Sequence, residues 1–528
     1  MITDFEDRRN IWLMPAVLVL VLIAVFLNLG LHPLSMEEPR RALIALEMKF
    51  NDNLWVPTQL GEPYYRKPPF YNWIIIAGYQ MFGNTSEFAT RFLSVVSYLA
   101  TGLLCFWFGR KYVNVTVGLF SGLLFLTAND LLFVFTLVSG EIDLFYSLIT
   151  YLGFLVIFHF GEKQNYYLLF LSVYLLGAIG TLTKGLPSPV FVAISLTTYF
   201  IAEGKWRQLV SLAHLVGILL YFGLVGGYFW MYQQHNDVSG YFFSEDSLIG
   251  QSTERTVLSK GIGALLIHFI SFPISLLKVL APASLFSIFL FRKDLLQMLR
   301  ANRYIWFCTL IFCANVLVYW VSPGTASRYV YMLFPLATTV LFYAFCQASG
   351  TSFHRLLTGF FGVVITLFAL ASVTLPFIPT LEGINGLLVT SAGSFLCFAI
   401  LLWLYWQHSQ HRLLLFLVAV IGARLLFDLV VLPHRAKHGP VVEDKQLAYD
   451  ILEKTGGQPV KIMGNSMISR TTIFYLERES EEVLSFDDDP QRGTFYLARL
   501  EDLANERYIR LLDFEFRDQA FALVRFEP

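Results

Sequence analysis

A charged segment between residues 34 and 73 contains the residue types that proton transfer and phosphate binding require. Two adjacent carboxylates, Glu37 and Glu38, stand directly before a proline, and Arg40 follows them. Lys67 precedes a pair of prolines, which stiffen the backbone behind it. A carboxylate can take a proton from an attacking hydroxyl group, and cations can stabilise a departing phosphate. We therefore predict that this segment is a catalytic loop.

The two adjacent carboxylates can have different roles. Both stand where a helix is predicted to begin, and the helix dipole favours the ionised form there. Because neighbouring carboxylates repel each other, one of the two pKa values is raised. We predict that Glu37 is the general base and that Glu38 caps the helix, with Glu38 as the alternative base. A different interpretation is that both residues only cap a helix lying at the membrane interface.

A second acidic pair, Glu141 and Asp143, lies where the third predicted span returns into the fourth. Carboxylates at the end of a span face a cavity or a partner more often than lipid, so both are candidate catalytic residues. The alternative is a solvated loop. Basic residues beside spans on the outer face favour an anionic lipid ligand, although they also reach ordinary headgroups. The residues predicted to bind a lipid phosphate are Arg40, Lys67, Lys184, Arg255, Arg328 and Tyr329.

The elements that carry these residues must lie in a membrane. The chain has 528 residues, of which 56% are hydrophobic and only 15% charged, against roughly a quarter charged in soluble domains. Apolar stretches of about 20 residues recur along it, the length that crosses a hydrocarbon core. We predict an all-α polytopic membrane protein with about thirteen transmembrane helices. The net charge of −1 does not favour nucleic-acid binding.

The charges between the predicted spans set their orientation. The spans are 11–30, 88–109, 114–137, 142–160, 166–183, 187–203, 208–231, 266–291, 304–322, 330–348, 355–376, 386–406 and 413–432. Basic residues cluster in alternate loops, which the positive-inside rule assigns to the cytoplasm. We therefore expect a cytoplasmic N-terminus and an external loop 31–87 within a transmembrane domain 1–433, as in a bacterial inner membrane protein.

Residues 434–528 have the composition of a soluble domain. The predicted topology places this domain on the outer side of the membrane. Helices are predicted near 441–454 and 469–477, and strands at 459–464, 482–486, 494–498, 508–516 and 519–526. Alternating strands and helices indicate a small α/β domain.

Metal ligation has little support in the sequence. The five cysteines all lie in apolar runs, so a thiolate metal site is not expected. No cofactor is predicted with certainty, and a divalent cation is possible but unsupported. Arg424 and Asp428 lie four residues apart in the last span, and we predict that they form an intramembrane salt bridge.

Several segments resemble a known family of membrane glycosyltransferases. MEEPRRALIALEM, at 36–48, is similar to the D-E-x-R-x-A-x-I-x-x-E-M segment of the aminoarabinose transferases and protein O-mannosyltransferases. WVPTQLGEPYYRKPPFYNW, FGNTSEFATRF, SGEIDLFYSL and TKGLPSP resemble later segments of the family in the same order. Together they cover about residues 30–190, and the long C-terminal segment most resembles the aminoarabinose transferase branch.

The resemblance implies a GT-C fold and transfer of a sugar from a polyprenyl-phosphate carrier, with inversion. The acceptor would be a lipid A-like glycolipid, another glycan or a protein on the outer face. Glu37 falls on the family's Asp, Lys67 on its lysine, and Glu141 aligns best with the later Asp, with Asp143 as competitor. One departure is Arg66, which replaces an acidic residue often found before that lysine.

A non-enzymatic lipid or sugar transporter, or flippase, is the alternative of a different class. Transporters tend to have broken helices in pairs and functional charges near the middle of the membrane. Here the charges gather at one face, in the first external loop. That distribution favours the enzyme.

Overall fold

Apolar helices form the body of the chain. The computed structural model describes residues 12–135, 139–244, 247, 250, 257–348, 352–464, 466–503 and 507–526. The α-helices before residue 280 are α1 (Leu13–Phe26), α2 (Glu38–Phe50), α3 (Phe70–Phe82), α4 (Glu87–Tyr112), α5 (Val115–Leu126), α6 (Asp143–Glu162), α7 (Tyr166–Lys184), α8 (Pro187–Ala202), α9 (Leu212–Gln233), α10 (Gly240–Phe243) and α11 (Val257–Val279). Those after it are α12 (Leu295–Arg300), α13 (Arg303–Trp320), α14 (Phe334–Gln347), α15 (Ser352–Thr374), α16 (Leu387–Gln407), α17 (Arg412–Leu426), α18 (Leu432–Arg435), α19 (Pro440–Thr455) and α20 (Arg470–Ser480).

The lengths of these helices fit a polytopic membrane protein. Among the described residues, ten helical stretches are long and apolar enough to cross a membrane, and α1, α5 and α8 are shorter apolar helices. The number of spans, predicted as thirteen, stays a prediction. Short 3₁₀ or π-helical stretches continue several helices, at Leu131–Phe135, Trp206–Val210, Ala283–Leu290, Ser327–Leu333, Leu375–Phe377, Pro379–Leu381, Ser409–His411, Phe427–Val431 and Leu500–Leu503.

Helix α2 is covered by other elements on two sides, and its predicted position along the membrane interface stays a prediction. Residues 38 to 48 are all buried. Leu43 and Leu46 pack into the core of the C-terminal domain, whereas Ile44 and Met48 pack against α3. The sequence places apolar residues on more than one face of α2, and each face is covered by a different partner.

A hairpin of two short strands, β1 (Thr58–Gln59) and β2 (Glu62–Pro63), covers the end of α2. The Glu47 carboxylate accepts hydrogen bonds from the backbone N–H groups of Leu60 (2.6 Å) and Gly61 (3.1 Å) at the turn. Gly61 has φ +74°, a left-handed conformation that glycine adopts without a steric cost. The hairpin leads directly into Arg66 and Lys67, so Glu47 fixes the approach to the basic pair.

The C-terminal segment folds into a mixed sheet with two helices. Its strands are β3 (Val460–Met463), β4 (Phe486–Asp487), β5 (Phe495–Arg499), β6 (Tyr508–Phe516) and β7 (Gln519–Phe526), in the order β4-β3-β5-β7-β6. Strand β3 is parallel to β4 and β5, while β5–β7 and β6–β7 are antiparallel. The predicted helices and closing strand pair are confirmed, but the predicted strand 482–486 occurs later and is shorter.

Charged contacts dock the C-terminal segment onto the start of α4. Lys445 Nζ lies 2.7 Å from Glu87 Oε1, and Arg478 Nη1 lies 3.4 Å from Glu87 Oε2. The Tyr475 hydroxyl donates a hydrogen bond of 2.8 Å to Glu87. One carboxylate at the first turn of α4 therefore holds two elements of the domain, α19 and α20.

The predicted salt bridge between Arg424 and Asp428 is confirmed. The Arg424 Nε and Asp428 Oδ1 atoms lie 2.8 Å apart, and both side chains are buried. Arg424 also donates to the Leu132 carbonyl oxygen, and the Asn28 side chain donates to the Asp428 carbonyl oxygen (2.8 Å). The pair therefore connects the last long helix to two neighbouring segments, as a structural pair rather than a part of the site.

Candidate active site

At the start of α2, the Glu37 side chain is partly exposed, whereas the neighbouring Glu38 side chain is buried. Glu37 is the residue before the helix, and its Oε2 atom lies 2.7 Å from Arg40 Nη1, one turn further on. About a third of the Glu37 side chain is exposed, whereas that of Glu38 is completely buried. The proline at 39 suits the first turn of a helix because no intrahelical acceptor is available there for a backbone N–H.

Glu38 forms a buried ion pair with Arg91 of α4. Its carboxylate accepts from Arg91 Nε and Nη2, each at 2.8 Å, and from the backbone N–H groups of Ser35 (3.1 Å) and Gly140 (2.8 Å). The prediction that Glu38 caps the helix is wrong, because Glu37 holds the cap position and Glu38 is the first helical residue. Glu38 joins the entrance to α2, helix α4 and the loop that carries Glu141.

Arg91 extends this connection to the end of α1. Its guanidinium also donates to the carbonyl oxygens of Leu29 (2.8 Å), His32 (2.9 Å) and Pro33 (3.1 Å). The planar guanidinium group, with its five N–H donors, suits such a junction, and a lysine could not replace arginine here. The sequence contained a signal for this residue, because a charged side chain inside an apolar span requires a partner.

The second acidic pair lies in an ion-pair network at the start of α6. Arg328 Nη1 lies 3.1 Å from Glu141 Oε2, and Arg328 Nε lies 3.8 Å from Asp143 Oδ2. Lys184 Nζ lies 2.5 Å from Asp143 Oδ1. The expectation of an acidic pair facing a cavity is consistent with this arrangement, while a freely solvated loop is not, because both carboxylates are buried.

Local structure fixes the two cations of this network. Lys184 is the last residue of α7, which ends there because Gly185 adopts a positive φ of +86°. The Lys184 ammonium lies 4.5 Å from the centre of the Tyr329 ring and 4.9 Å from that of Tyr146. Such contacts stabilise a cation that is partly removed from water.

Arg328 lies in the 3₁₀ stretch Ser327–Leu333. The Ser327 and Tyr331 hydroxyls, on either side of it, donate to Asp130 Oδ2 at 3.1 and 2.5 Å. Asp130 therefore holds the backbone segment that presents Arg328. Sequence reasoning did not find Asp130, since nothing in its local pattern indicates a partner almost two hundred residues away.

These residues meet around one polar cavity of about 210 Å³. Eight of the ten predicted site residues line it, namely Glu37, Arg40, Lys67, Glu141, Asp143, Lys184, Arg328 and Tyr329. Glu38 lies behind the wall, and Arg255 lies outside the described residues. Arg41, Tyr64 and Arg66 also line the cavity, although the sequence did not predict a role for them in the site. Arg41 donates a hydrogen bond of 3.1 Å to the Tyr64 hydroxyl.

Charge in the cavity is unbalanced toward the positive. Six cationic side chains and three carboxylates line it. Burial raises the pKa of Glu141 to about 8, and the charge of Asp143 adds to this effect, although Arg328 opposes it. An excess of cations in a partly dehydrated cavity can hold a phosphate group, and a carboxyl group with a pKa near neutrality can exchange a proton.

The described part of the chain contains no group of three or more His, Cys, Asp and Glu side chains arranged to hold a metal ion.

Known protein families match the part of the chain that contains most of the candidate site. The family model described as dolichyl-phosphate-mannose-protein mannosyltransferase matches residues 66–230. An undecaprenyl phosphate-alpha-4-amino-4-deoxy-L-arabinose arabinosyl transferase of Pseudomonas fluorescens is 36% identical over 104 residues, which are 20% of this chain and 19% of that protein. An uncharacterized protein of Aquifex aeolicus is 28% identical over 222 residues, 41% of this chain and 43% of that protein. The matched region spans less than half the length of these relatives.

The solved structure of ArnT from Cupriavidus metallidurans bound to undecaprenyl phosphate has the same fold. It aligns with a TM-score of 0.69 at 17% sequence identity and covers 98% of both chains. The resemblance to the aminoarabinose transferases and protein O-mannosyltransferases that the sequence motifs indicated is confirmed by these comparisons. The predicted GT-C fold with a small C-terminal domain is therefore confirmed.

Proposed function

We propose that this GT-C chain is a glycosyltransferase that moves a sugar from a polyprenyl-phosphate carrier to an acceptor at the outer face of the membrane. The observation that carries the proposal is the cavity in which Glu37 and Glu141 face an excess of cations. A carrier phosphate needs positive charge, and an attacking hydroxyl group needs a base. Both kinds of group are present within one small space.

Lys67 and Arg328 are proposed to bind the phosphate of the carrier, with Arg40, Lys184 and Tyr329 completing its surroundings. Lys67 stands immediately before Pro68-Pro69 and helix α3, so its backbone is held while its ammonium approaches as a point charge. Arg328 already pairs with Glu141 and would exchange part of that interaction for the phosphate. The leaving phosphate gains negative charge as the bond to the sugar breaks, which these cations stabilise.

Glu37 is proposed to be the general base. It takes the proton of the acceptor hydroxyl while the hydroxyl oxygen forms a bond to the anomeric carbon of the sugar. The bond between that carbon and the phosphate oxygen breaks, and its electron pair leaves with the polyprenyl phosphate. A single displacement of this kind inverts the configuration at the anomeric carbon. The partial exposure of Glu37 leaves room for an acceptor beside it.

Glu141 is the competing carboxylate. Its raised pKa, about 8, keeps a large fraction protonated at neutral pH, so a proton must leave before it can act as a base. Asp143 is bound by Lys184 and approached by Arg328, and its proposed role is to position those two cations. The three carboxylates are therefore given different roles because each has different neighbouring side chains.

The relatives suggest the donor and the location. Undecaprenyl phosphate appears in the names of the arabinosyl transferases and of the ligand bound to ArnT, and we extend a carrier of this class to the present chain. The loop 31–87 and the domain 434–528 would then lie on the outer face of a bacterial inner membrane, where the acceptor is a glycolipid, another glycan or a protein.

Mass spectrometry of lipids and glycans from cells with and without this chain tests the proposal. A sugar that is present on one envelope component only in cells carrying the parent chain, and lost in those carrying Glu37→Gln, is the expected result. Unchanged glycans together with altered movement of a lipid across the membrane would instead indicate a transporter.

A further inference from the structure

A second cavity adjoins the proposed donor site on the side of the C-terminal domain. It has a volume of about 570 Å³ and lies between the β1–β2 hairpin and the domain. Met467, Arg470 and Phe486 form the wall on the side of the domain. The domain is therefore part of the surroundings of the active site and not only a soluble appendage.

The two cavities share a wall. Arg40, Tyr64 and Arg66 line both of them. A molecule in the second cavity would therefore reach the first beside Arg40, whose partner in the first cavity is Glu37. The second cavity therefore reaches the partner of the proposed base, whereas Lys184 and Asp143 line only the first cavity.

The second cavity is rich in arginine. Arg40, Arg66 and Arg470 line it, and the exposed Glu62 is the carboxylate of its lining. The Nε atoms of Arg40 and Arg470 are buried without a hydrogen-bond partner in the described part of the chain. Burial, followed by the charges of Arg40 and Arg66, lowers the pKa of Arg470. Arg40 and Arg66 therefore each repel Arg470, although the charge of Glu37 opposes this effect. An anion beside Arg470 would relieve the repulsion.

Arg470 and Arg66 come from separate elements. Arg470 is the first residue of α20, an eleven-residue helix capped by Ser469, and the positive end of its dipole adds to the field there. Arg66 follows strand β2, directly before Lys67. The positive charge of this cavity therefore comes both from the segment after the hairpin and from the C-terminal domain.

We propose that the second cavity binds the acceptor, and that Arg66 and Arg470 hold an oxyanion of that acceptor, a phosphate or a carboxylate. The identification of the bound molecule as the acceptor rests on the proposed function, whereas the anion site itself requires only the cavity. Guanidinium groups bind both kinds of oxyanion through paired N–H donors. An acceptor held there places a neighbouring hydroxyl group beside Glu37.

Binding to purified full-length chain in nanodiscs tests the anion site without requiring turnover. The chain is first saturated with undecaprenyl phosphate to fill the donor site, and is then titrated with glucosamine 1-phosphate, glucuronic acid or methyl glucoside. We expect an anionic sugar to bind and the neutral one not to bind. The phosphate and carboxylate probes identify which oxyanion is preferred.

Arg470→Gln should weaken the binding of the preferred anionic probe by about 10-fold or more, the scale for losing hydrogen bonds to a charged group. Arg66→Gln should act similarly, and it tests the site from another element if Arg470→Gln alters the domain. Arg510→Gln is the matched control, because β6 lies at the opposite edge of the sheet from β4, and it should bind like the parent. Equal binding of the neutral probe, or unchanged binding in both cavity variants, would overturn the anion site.

A transfer assay then separates this inference from the proposed function. Arg470→Gln should raise the KM for an anionic acceptor by about 10-fold while the KM for the lipid-linked donor stays unchanged. Absence of transfer in the parent chain would refute the proposed function even where the probes bind. An Arg470→Gln variant that transfers sugar with the parent's acceptor KM would refute the assignment of the cavity to the acceptor.

Discussion

Replacing Glu38 with glutamine should destabilise the chain far more than the loss of a helix cap would. The substitution preserves size but removes the charge opposite Arg91, whose side chain is only 1% exposed. Arg91 would keep its three carbonyl acceptors but would be left as an uncompensated buried charge. Breaking a buried ion pair in this way costs about 3–5 kcal/mol, against about 0.5–2 kcal/mol for a capping interaction.

Equilibrium denaturation of the purified chain by SDS in detergent micelles measures this difference. Glu62→Gln is the matched control, because Glu62 is an exposed carboxylate of the same loop, and it should change stability by less than about 0.5 kcal/mol. The double variant Glu38→Gln/Arg91→Met should recover part of the loss, since it removes the unpaired charge. A loss below about 1 kcal/mol in Glu38→Gln, or no recovery in the double variant, would refute the role of the ion pair.

Three further predictions concern the donor site, pH and topology. Lys67→Ala should lower turnover by about 100-fold or more, measured with purified chain, while Lys67→Arg keeps part of the activity; normal turnover would make Lys67 only an interfacial anchor. Burial raises the pKa of Glu47 to about 7, and burial together with the Glu47 charge raises the pKa of Glu477. The contribution of the two protonated carboxyl groups to the stability of the fold is therefore complete below pH 4.5. It is lost as the pH rises through about 7. The SDS midpoint should fall over that range and fall less in Glu477→Gln, whereas equal slopes would exclude this pair as the cause. Protease protection at residue 440 should place the C-terminal domain outside, and a cytoplasmic result would show a miscounted span.

The motifs of the first 190 residues carried most of the information about the site. Lys67 and Glu141 are far apart in the chain, but each stands beside a local signal, a proline pair or the end of a span. Such signals depend on neighbouring residues, so the sequence alone could assign them. The cavity then contains them together with Lys184 and Arg328.

The remaining features depend on contacts between distant segments. Glu38 was assigned to capping because its helix position is visible in the sequence, whereas its pairing with Arg91 is a tertiary contact across 53 residues. The burial of α2 follows from the docking of the C-terminal domain, which no periodicity within α2 reports. Arg470 had no local signal at all, since only the fold brings it to the cavity that Arg66 lines.

Reconstitution tests most directly whether the cavity transfers a sugar with Glu37 as the base. Purified parent chain and Glu37→Gln are given a sugar-linked polyprenyl phosphate and an acceptor extract, and both sugar transfer and donor binding are measured. We predict transfer with inverted anomeric configuration by the parent, and a collapse of transfer in Glu37→Gln with donor binding retained. Transfer by Glu37→Gln at the parent's rate would contradict this prediction and direct the search for the base to Glu141.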